Sequence, residues 1–569
     1  MKQLITIFLA VFFCCNLYAQ ETVNLDELFA DRVEVYFEFE VAEKADLAAV
    51  SKLVSIDHGE WGKMAKAYAN EREFKAFLAT GLPFKILPPP STLHKPKMMN
   101  VNEWKTKGGV ACLETWDFYP TYSAYETIMA DFAAAYPDLC RIVEFGQLPS
   151  GRKLLAAVIS DNVAEREVEP RFLYTSSIHG DETTGFPLML QLIDYLLCEY
   201  GSNDMITNIV DGMEIWINPL ANPDGTYTDN NETVFGATRY NSEGHDLNRN
   251  YPDPIIGNVP VNQRPMQLET SLFMALAEEN HFVMSANFHG GTEVVNYPWD
   301  TRPELHADDD WWFCVSSEYA ESVHTNGPSN YFDGFGDGVT NGYEWYEVDG
   351  GRQDYMTYYQ HGREVTIELS DQKLLSANKI AAHWDYNRDA LLNYMEHAMH
   401  GFQGVVTDAL TGEPIEARLF VRNHDFFNSD VYSNELGCYA RPIIEGTYTL
   451  LFSADGYLDA EYKDLKITKK RQGFRLDVSL MPEITSIEDR LKTDDFVLYP
   501  NPAKNTLFLK FEKTAIQLQL FDMTGRIIYK TNLSKKETTL DISDLEAGIY
   551  WVKAIGVDWS GSQKMVVGK

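Results

Sequence analysis

The period of hydrophobic positions changes several times along the chain, and each change marks a segment. From about residue 21 to 88 the pattern reads as a strand (VEVYFEF), a helix (KADLAAVSKLV), a short strand, a second helix (EREFKAFLATG) and a strand (LPFKILP), closing at Pro88, Pro89 and Pro90. This predicts a small α+β domain within 20–100, placed as a pro-segment or a retained accessory domain would be. Between 115 and 400, helical stretches (SAYETIMADFAAAYPD, MQLETSLFMALAEEN, KIAAHWDYNRDALLNYMEHAMH) are interspersed with apolar runs (KLLAAVIS, RFLYTSS, EIWINPL, FVMSANFH, REVTIEL). Interspersion of this kind predicts an α/β domain, a mixed sheet with helices on both faces. Past Gly401 the texture becomes GVVTD, ARLFVRN, CYARPI, TYTLLFSA, GYLDAEY and RLDVSL, short strands at roughly the 8–12-residue spacing of small all-β folds. A β-sandwich over 401–482 is expected. After the polar stretch EITSIEDRLKTDD, a second all-β unit follows over 494–569, with LFLKF, IQLQLFD, GRIIYK, GIYWVKA and KMVVG as strands.

Composition adds limits. The 569 residues, 45% of them hydrophobic, suffice for several cores. A formal net charge of −36 argues against nucleic acid or an anionic membrane surface as partner. It suits solubility outside the cell, with attraction of cationic peptides to an acidic cleft as a second reading. MKQLITIFLAVFFCCNLYAQ has a basic start, an apolar run and a small residue at Ala19, the pattern of a cleaved signal over 1–19. No later stretch is apolar for long enough to span a bilayer, so the chain is expected to be exported and soluble or surface-attached. Cys14 and Cys15 leave with the signal; Cys112, Cys140, Cys198, Cys314 and Cys438 remain, an odd set whose pairing the spacing does not give.

Candidate chemistry centres on SSIHGDETTG at 176–185, where His179 and Glu182 follow an apolar strand and precede the helical pattern GFPLMLQLIDYLLCEY. Catalytic zinc takes three protein ligands and keeps an open position, and two histidines with one glutamate form a standard set. A second His-x-x-Glu pair, His361 and Glu364, leads into a strand instead and reads as ordinary surface structure. Strand ends are where open α/β sheets bind ligands, which makes His289, closing FVMSANFH, the third ligand. Hydrolysis also needs a carboxylate to take the proton from the attacking water and fixed cations for the developing oxyanion. Glu368, flanked by Ile367 and Leu369, needs a reason to sit in an apolar strand, and it is assigned the proton transfers. The loop RYNSEGHDLNRNYPD supplies Arg239, Asn248 and Arg249, a guanidinium being the natural bidentate partner of a carboxylate. Asp224 and Asp246 read as loop-stabilising acids.

HGDE, NPDG, DLNRNYPD, NFHGG, GGRQDY and TIELS occur in the order found in zinc carboxypeptidases of the carboxypeptidase A/B superfamily, and the segment 115–400 resembles their regulatory branch, which includes carboxypeptidases D, E, M and N. The resemblance implies one Zn2+ on His179, Glu182 and His289, Glu368 as general base and acid, and Arg239 polarising the scissile carbonyl. It also implies Asn248 with Arg249 gripping the substrate's terminal carboxylate, Tyr346 capping it, and Asp300 assisted by Gln353 receiving a basic side chain. The substrates implied are peptide and protein C-termini ending in Lys or Arg. The 401–482 segment resembles the transthyretin-like domain of that branch. The last unit, opening with LYPNP and carrying DMTGR and LEAGIYWVK, resembles a type IX secretion sorting domain, which makes outer-membrane secretion machinery a partner. Two features depart from the pattern: the branch usually lacks a pro-domain, and Arg352 stands where a small or apolar residue is commoner. A cell-wall peptide or small-amide hydrolase of the same fold, and an inactive binding module, are the alternatives; no ligand or base is missing, and Asn248 with Arg249 favours the exopeptidase.

Overall fold

The computed structural model describes residues 23–59, 63–110, 112–113, 115–257, 265–483, 496–557 and 559–568; the signal at 1–19 and most of the polar stretch before 496 lie outside them. The chain forms two compact units, divided between Met481 and Pro482.

At the centre of the first unit is an eight-stranded mixed sheet. Its strands are β1 (Cys140–Gln147), β2 (Lys153–Ile159), β3 (Arg171–Ser176), β4 (Glu214–Asn218), β5 (Met284–His289), β6 (Glu293–Tyr297), β7 (Val339–Asn341) and β8 (Arg363–Leu369), in the spatial order β7-β6-β8-β5-β3-β4-β2-β1. The neighbours β8, β5, β3 and β4 are parallel, so their C-terminal ends share one edge. Side chains alternate between two cores, as strand geometry requires. Phe172, Tyr174, Ile215 and Ile217 face a core built with the helices Tyr122–Ala135, Gly185–Glu199, Asp309–Asn326 and Ala377–Glu396. Leu173 and Trp216 face the other, with Leu268–Asn280 and Arg352–Tyr358. A disulfide joins Cys112 to Cys198, while Cys140, Cys314 and Cys438 are free thiols.

Ahead of this sheet, residues 35–87 form a four-stranded antiparallel sheet with the helices Lys44–Ser51 and Glu71–Leu78. The segment expected to hold one short strand holds two, Ser55–His58 and Lys63–Ala69. The second hides in sequence because its core-facing positions are only Ala65, Ala67 and Ala69. After the sheet, residues 401–480 form two four-stranded sheets that share one core around Phe402, Leu419, Leu450 and Phe452. The second unit, from Phe496 onward, is likewise two sheets on a core of its own. Among the described residues no helix is long and apolar enough to cross a membrane.

Candidate active site

β3 ends at Ser176, and Ser177, in the left-handed region at φ 59°, turns the chain into the loop that carries His179 and Glu182. The loop's Gly180 has no alternative: a Cβ there would collide with the backbone of 225–226 and of Thr238. His289 ends β5, and its register partner on β8 is Glu368. Three strand ends and one loop therefore converge on a point.

His179 Nε2 lies 3.0 Å from Asp246 Oδ1. An ionised carboxylate only accepts, so Nε2 carries the proton and Nδ1 presents a lone pair. That lone pair faces Glu182 Oε2 at 2.9 Å and His289 Nδ1 at 3.1 Å. His289 Nδ1 is in turn 2.8 Å from Glu182 Oε2, and its other nitrogen meets the Asn287 side-chain amide at 2.8 Å. Acceptors opposed at such distances repel unless a proton or a cation is shared among them, and two imidazoles with a carboxylate oxygen are the donor set that zinc takes. Protonation of the His289 imidazole is disfavoured, since burial pushes it down to about 4 against the pull of Glu182. Burial also works against a charged Glu182, but His179, Lys373 and His289 outweigh it and hold its carboxyl well below the ordinary range. The residues present fit a divalent metal.

Glu368 stands beside this cluster with Oε2 buried and without a hydrogen bond. Burial, and then the Glu182 carboxylate, push its carboxyl well up, opposed by Lys373 and Arg239. Arg239 donates from Nη1 to Glu182 Oε1 at 3.1 Å and from Nε to Asp246 Oδ2 at 3.1 Å. Asn248 and Arg249 lie in the turn Leu247–Arg249, whose start is capped by Asp246 accepting the Asn248 N–H at 2.9 Å. Asp300 is buried and accepts from Asn296 Nδ2 at 3.0 Å and Gln353 Nε2 at 3.1 Å. Glycine is required at 342, since a Cβ would collide with Asp300 Oδ1. His179, Glu182, Arg239, Asn248, Arg249, His289, Asp300, Tyr346 and Glu368 all line one cleft, with Gln353 behind Asp300.

A family model described as zinc carboxypeptidase matches residues 125–390. Carboxypeptidase M of Mus musculus is 30% identical over 370 residues, covering 63% of this chain and 82% of that one. The chain belongs to the zinc carboxypeptidase family. Carboxypeptidase D of Mus musculus is 35% identical over 352 residues, 58% of this chain but 25% of its own length, so this chain spans about a quarter of that relative. The solved carboxypeptidase A from Helicoverpa armigera aligns at 17% identity with a TM-score of 0.47, over 64% of this chain and 98% of that one. Residues 497–568 match a model described as secretion system C-terminal sorting domain.

Within the carboxypeptidase fold, sequence reading missed three residues. Asp246, expected to stabilise its loop, does so but also orients His179 and Arg239. Asp354 accepts the backbone N–H groups of Asp300 and Thr301, each at 3.1 Å, and so sets the base of the Asp300 turn. Lys373 reaches Glu182 Oε1 at 2.9 Å. Motif order pointed to Asp246 in DLNRNYPD and to Asp354 in GGRQDY; nothing local pointed to Lys373.

One expectation needs correction. The HGRE pair is not surface structure: Glu364 is fully buried, accepting from Arg352 Nη2 at 3.1 Å and Ser285 Oγ at 2.7 Å. Arg352 therefore points into the sheet and away from Asp300. The reason is helical rather than extended geometry, since 352–358 is a helix and successive side chains diverge by roughly 100°.

The N-terminal unit sits on the cleft. Its Ile56 and Asp57 line it, leaving a cavity of about 30 Å³, enough for a water and too little for a peptide's terminal residue. Larger hollows elsewhere, one of about 260 Å³ between the carboxypeptidase sheet and the following β region, lack such converging donors. Glu34 accepts the backbone N–H groups of Arg239 at 2.9 Å and Tyr240 at 2.8 Å, Tyr68 donates to Asp181 at 2.6 Å, and Tyr346 packs against the N-terminal core.

A second group of possible ligands, Asp308, His424 and Asp425, lies where the carboxypeptidase fold meets residues 401–480. Its carboxylates are already occupied. Asp308 Oδ1 takes Arg441 at 2.9 Å and Oδ2 takes Arg363 at 2.8 Å, while Asp425 takes Arg441 at 2.6 Å and the Val421 N–H at 2.8 Å.

Proposed function

We propose that this chain removes C-terminal residues from peptides by metal-assisted hydrolysis, with a preference for Lys or Arg. The observation that carries it is the convergence of His179, Glu182 and His289 beside Glu368 in a cleft that also holds Asn248, Arg249 and Asp300. His179, Glu182 and His289 would hold a zinc ion, which would supply an acidified water and a Lewis acid for the scissile carbonyl. Glu368 takes the attacking water's proton and returns it to the departing amine. Arg239 donates N–H to the developing oxyanion, Asn248 and Arg249 grip the terminal carboxylate, and Tyr346 covers the bound residue.

Asp300, steadied by Gln353 and Asn296, supplies the anion that a buried ammonium or guanidinium requires. With Ile56 and Asp57 in the cleft, the N-terminal unit acts as an inhibitory pro-domain that withdraws before a substrate enters. Residues 401–482 act as a transthyretin-like sandwich bracing the catalytic domain, and the sorting domain directs export through the type IX machinery. The test compares peptides ending in Arg, in Leu and in an amide. The Arg peptide should be fastest and the amidated one inert, and Asp300→Asn should lower kcat/KM on the Arg peptide by roughly 10²-fold, about 3 kcal/mol, with far less effect on Leu. Wild-type preference for Leu, or equal losses, refutes the basic specificity.

A further inference from the structure

Lys373 is buried, and its ammonium pairs with three carboxylates, Asp57 Oδ1 at 2.6 Å, Glu182 Oε1 at 2.9 Å and Asp181 Oδ2 at 3.6 Å, while resting over the Tyr68 ring at 4.9 Å. A desolvated ammonium is costly unless paired, and three donors against three acids meet that demand. Its backbone is fixed as well. The Lys373 carbonyl accepts the Thr183 N–H at 2.9 Å and the Thr183 hydroxyl at 2.8 Å, fastening the lysine to the loop that carries Glu182.

The consequence lies in how Glu182 divides its two oxygens. Oε2 faces both imidazole Nδ1 atoms, while Oε1 accepts from Lys373 and from Arg239. Arg239 has a second duty in the proposed reaction, donating to the substrate, and a turn of its guanidinium in that direction weakens its Nη1 bond to Glu182. Lys373 has no such duty. We infer that Lys373 is a positioning residue that holds Glu182 as a one-oxygen metal ligand and releases Arg239 to the substrate. Because Asp57 belongs to the N-terminal unit, the same ammonium ties the docking of that unit to the metal ligand. The inference rests on the reading of His179, Glu182 and His289 as a zinc site.

Zinc affinity measured by competition with a chelator of known strength tests it, using the full chain. Partners of metal ligands usually contribute 10–100-fold to affinity, so Lys373→Met should raise the zinc Kd by about that factor and lower kcat more than it raises KM, because Arg239 stays on Glu182. Lys373→Arg, which keeps the charge and donors, should recover part of both losses. If Lys373→Met does not fold, the double variant Lys373→Met, Asp57→Asn removes one of the acids left unpaired and is measured instead. Unchanged zinc affinity overturns the inference. So do equal zinc losses in the Met and Arg variants matched by equal falls in the metal-free melting temperature, which would make Lys373 a packing residue only. A wild-type chain that binds no zinc refutes instead the site reading beneath it.

Discussion

Among the described residues two clusters bring imidazole and carboxylate atoms within reach of a single ion, and they dispose of their lone pairs in opposite ways. At His179, Glu182 and His289 the fixed cations, Lys373 and Arg239, approach only Oε1 of the glutamate, and the remaining acceptors face one another. At Asp308, His424 and Asp425, Arg363 and Arg441 bind both oxygens of Asp308, and the cluster is complete without an ion. Burial works against the charge on Asp308, but Arg441 and Arg363 prevail and hold its carboxyl below the usual range. Residue type and proximity thus do not distinguish a metal site from an ion-pair junction. What distinguishes them is where the counter-charges already stand.

If the first cluster is chemical and the second mechanical, variants should separate the two. Beside the first, Glu368→Gln should lower turnover by roughly 10²–10⁴-fold while zinc content and melting temperature hold, measured by steady-state kinetics with metal analysis. Near-wild-type turnover removes Glu368 from the mechanism. At the second, Asp308→Ala leaves two buried guanidiniums without their shared anion and should cost about 3–5 kcal/mol in denaturant unfolding, with zinc affinity unchanged. A loss of zinc in that variant would mean the clusters are not independent. The smallest effect concerns pH. Burial pushes the Asp300 carboxyl up to about 6. As pH falls through that value Asp300 loses the charge that a basic side chain needs, so the ratio of kcat/KM for Arg over Leu peptides should drop by up to about tenfold per pH unit. Asp300→Asn should flatten that ratio.

Much of this was legible in sequence, for identifiable reasons. The candidate ligands and Glu368 sit at or just beyond the ends of apolar strands, where a polar residue is conspicuous, and the fold class follows from helices interspersed with buried runs. What could not be read depends on distant partners. Lys373 meets Glu182 across 191 residues, and Asp354 takes its meaning from the Asp300 turn. Strand β1 escaped because it lies at the sheet edge, half-buried along most of its length, without a clean alternation. Glu364 was misjudged because its guanidinium partner, Arg352, lies on a neighbouring helix that turns it inward.

Strand β8 carries Arg363 at its foot and Glu368 at its tip. The foot is gripped from beyond the carboxypeptidase fold: Arg363 donates to the Ser429 carbonyl at 2.7 Å and shares Asp308 with Arg441. The change of texture at Gly401 is therefore a seam in the sequence pattern and not a place to cut. A chain trimmed to end at His400 would keep the described residues that line the cleft and lose the anchorage of the strand that carries Glu368, so the region after Gly401 is a working part of that fold.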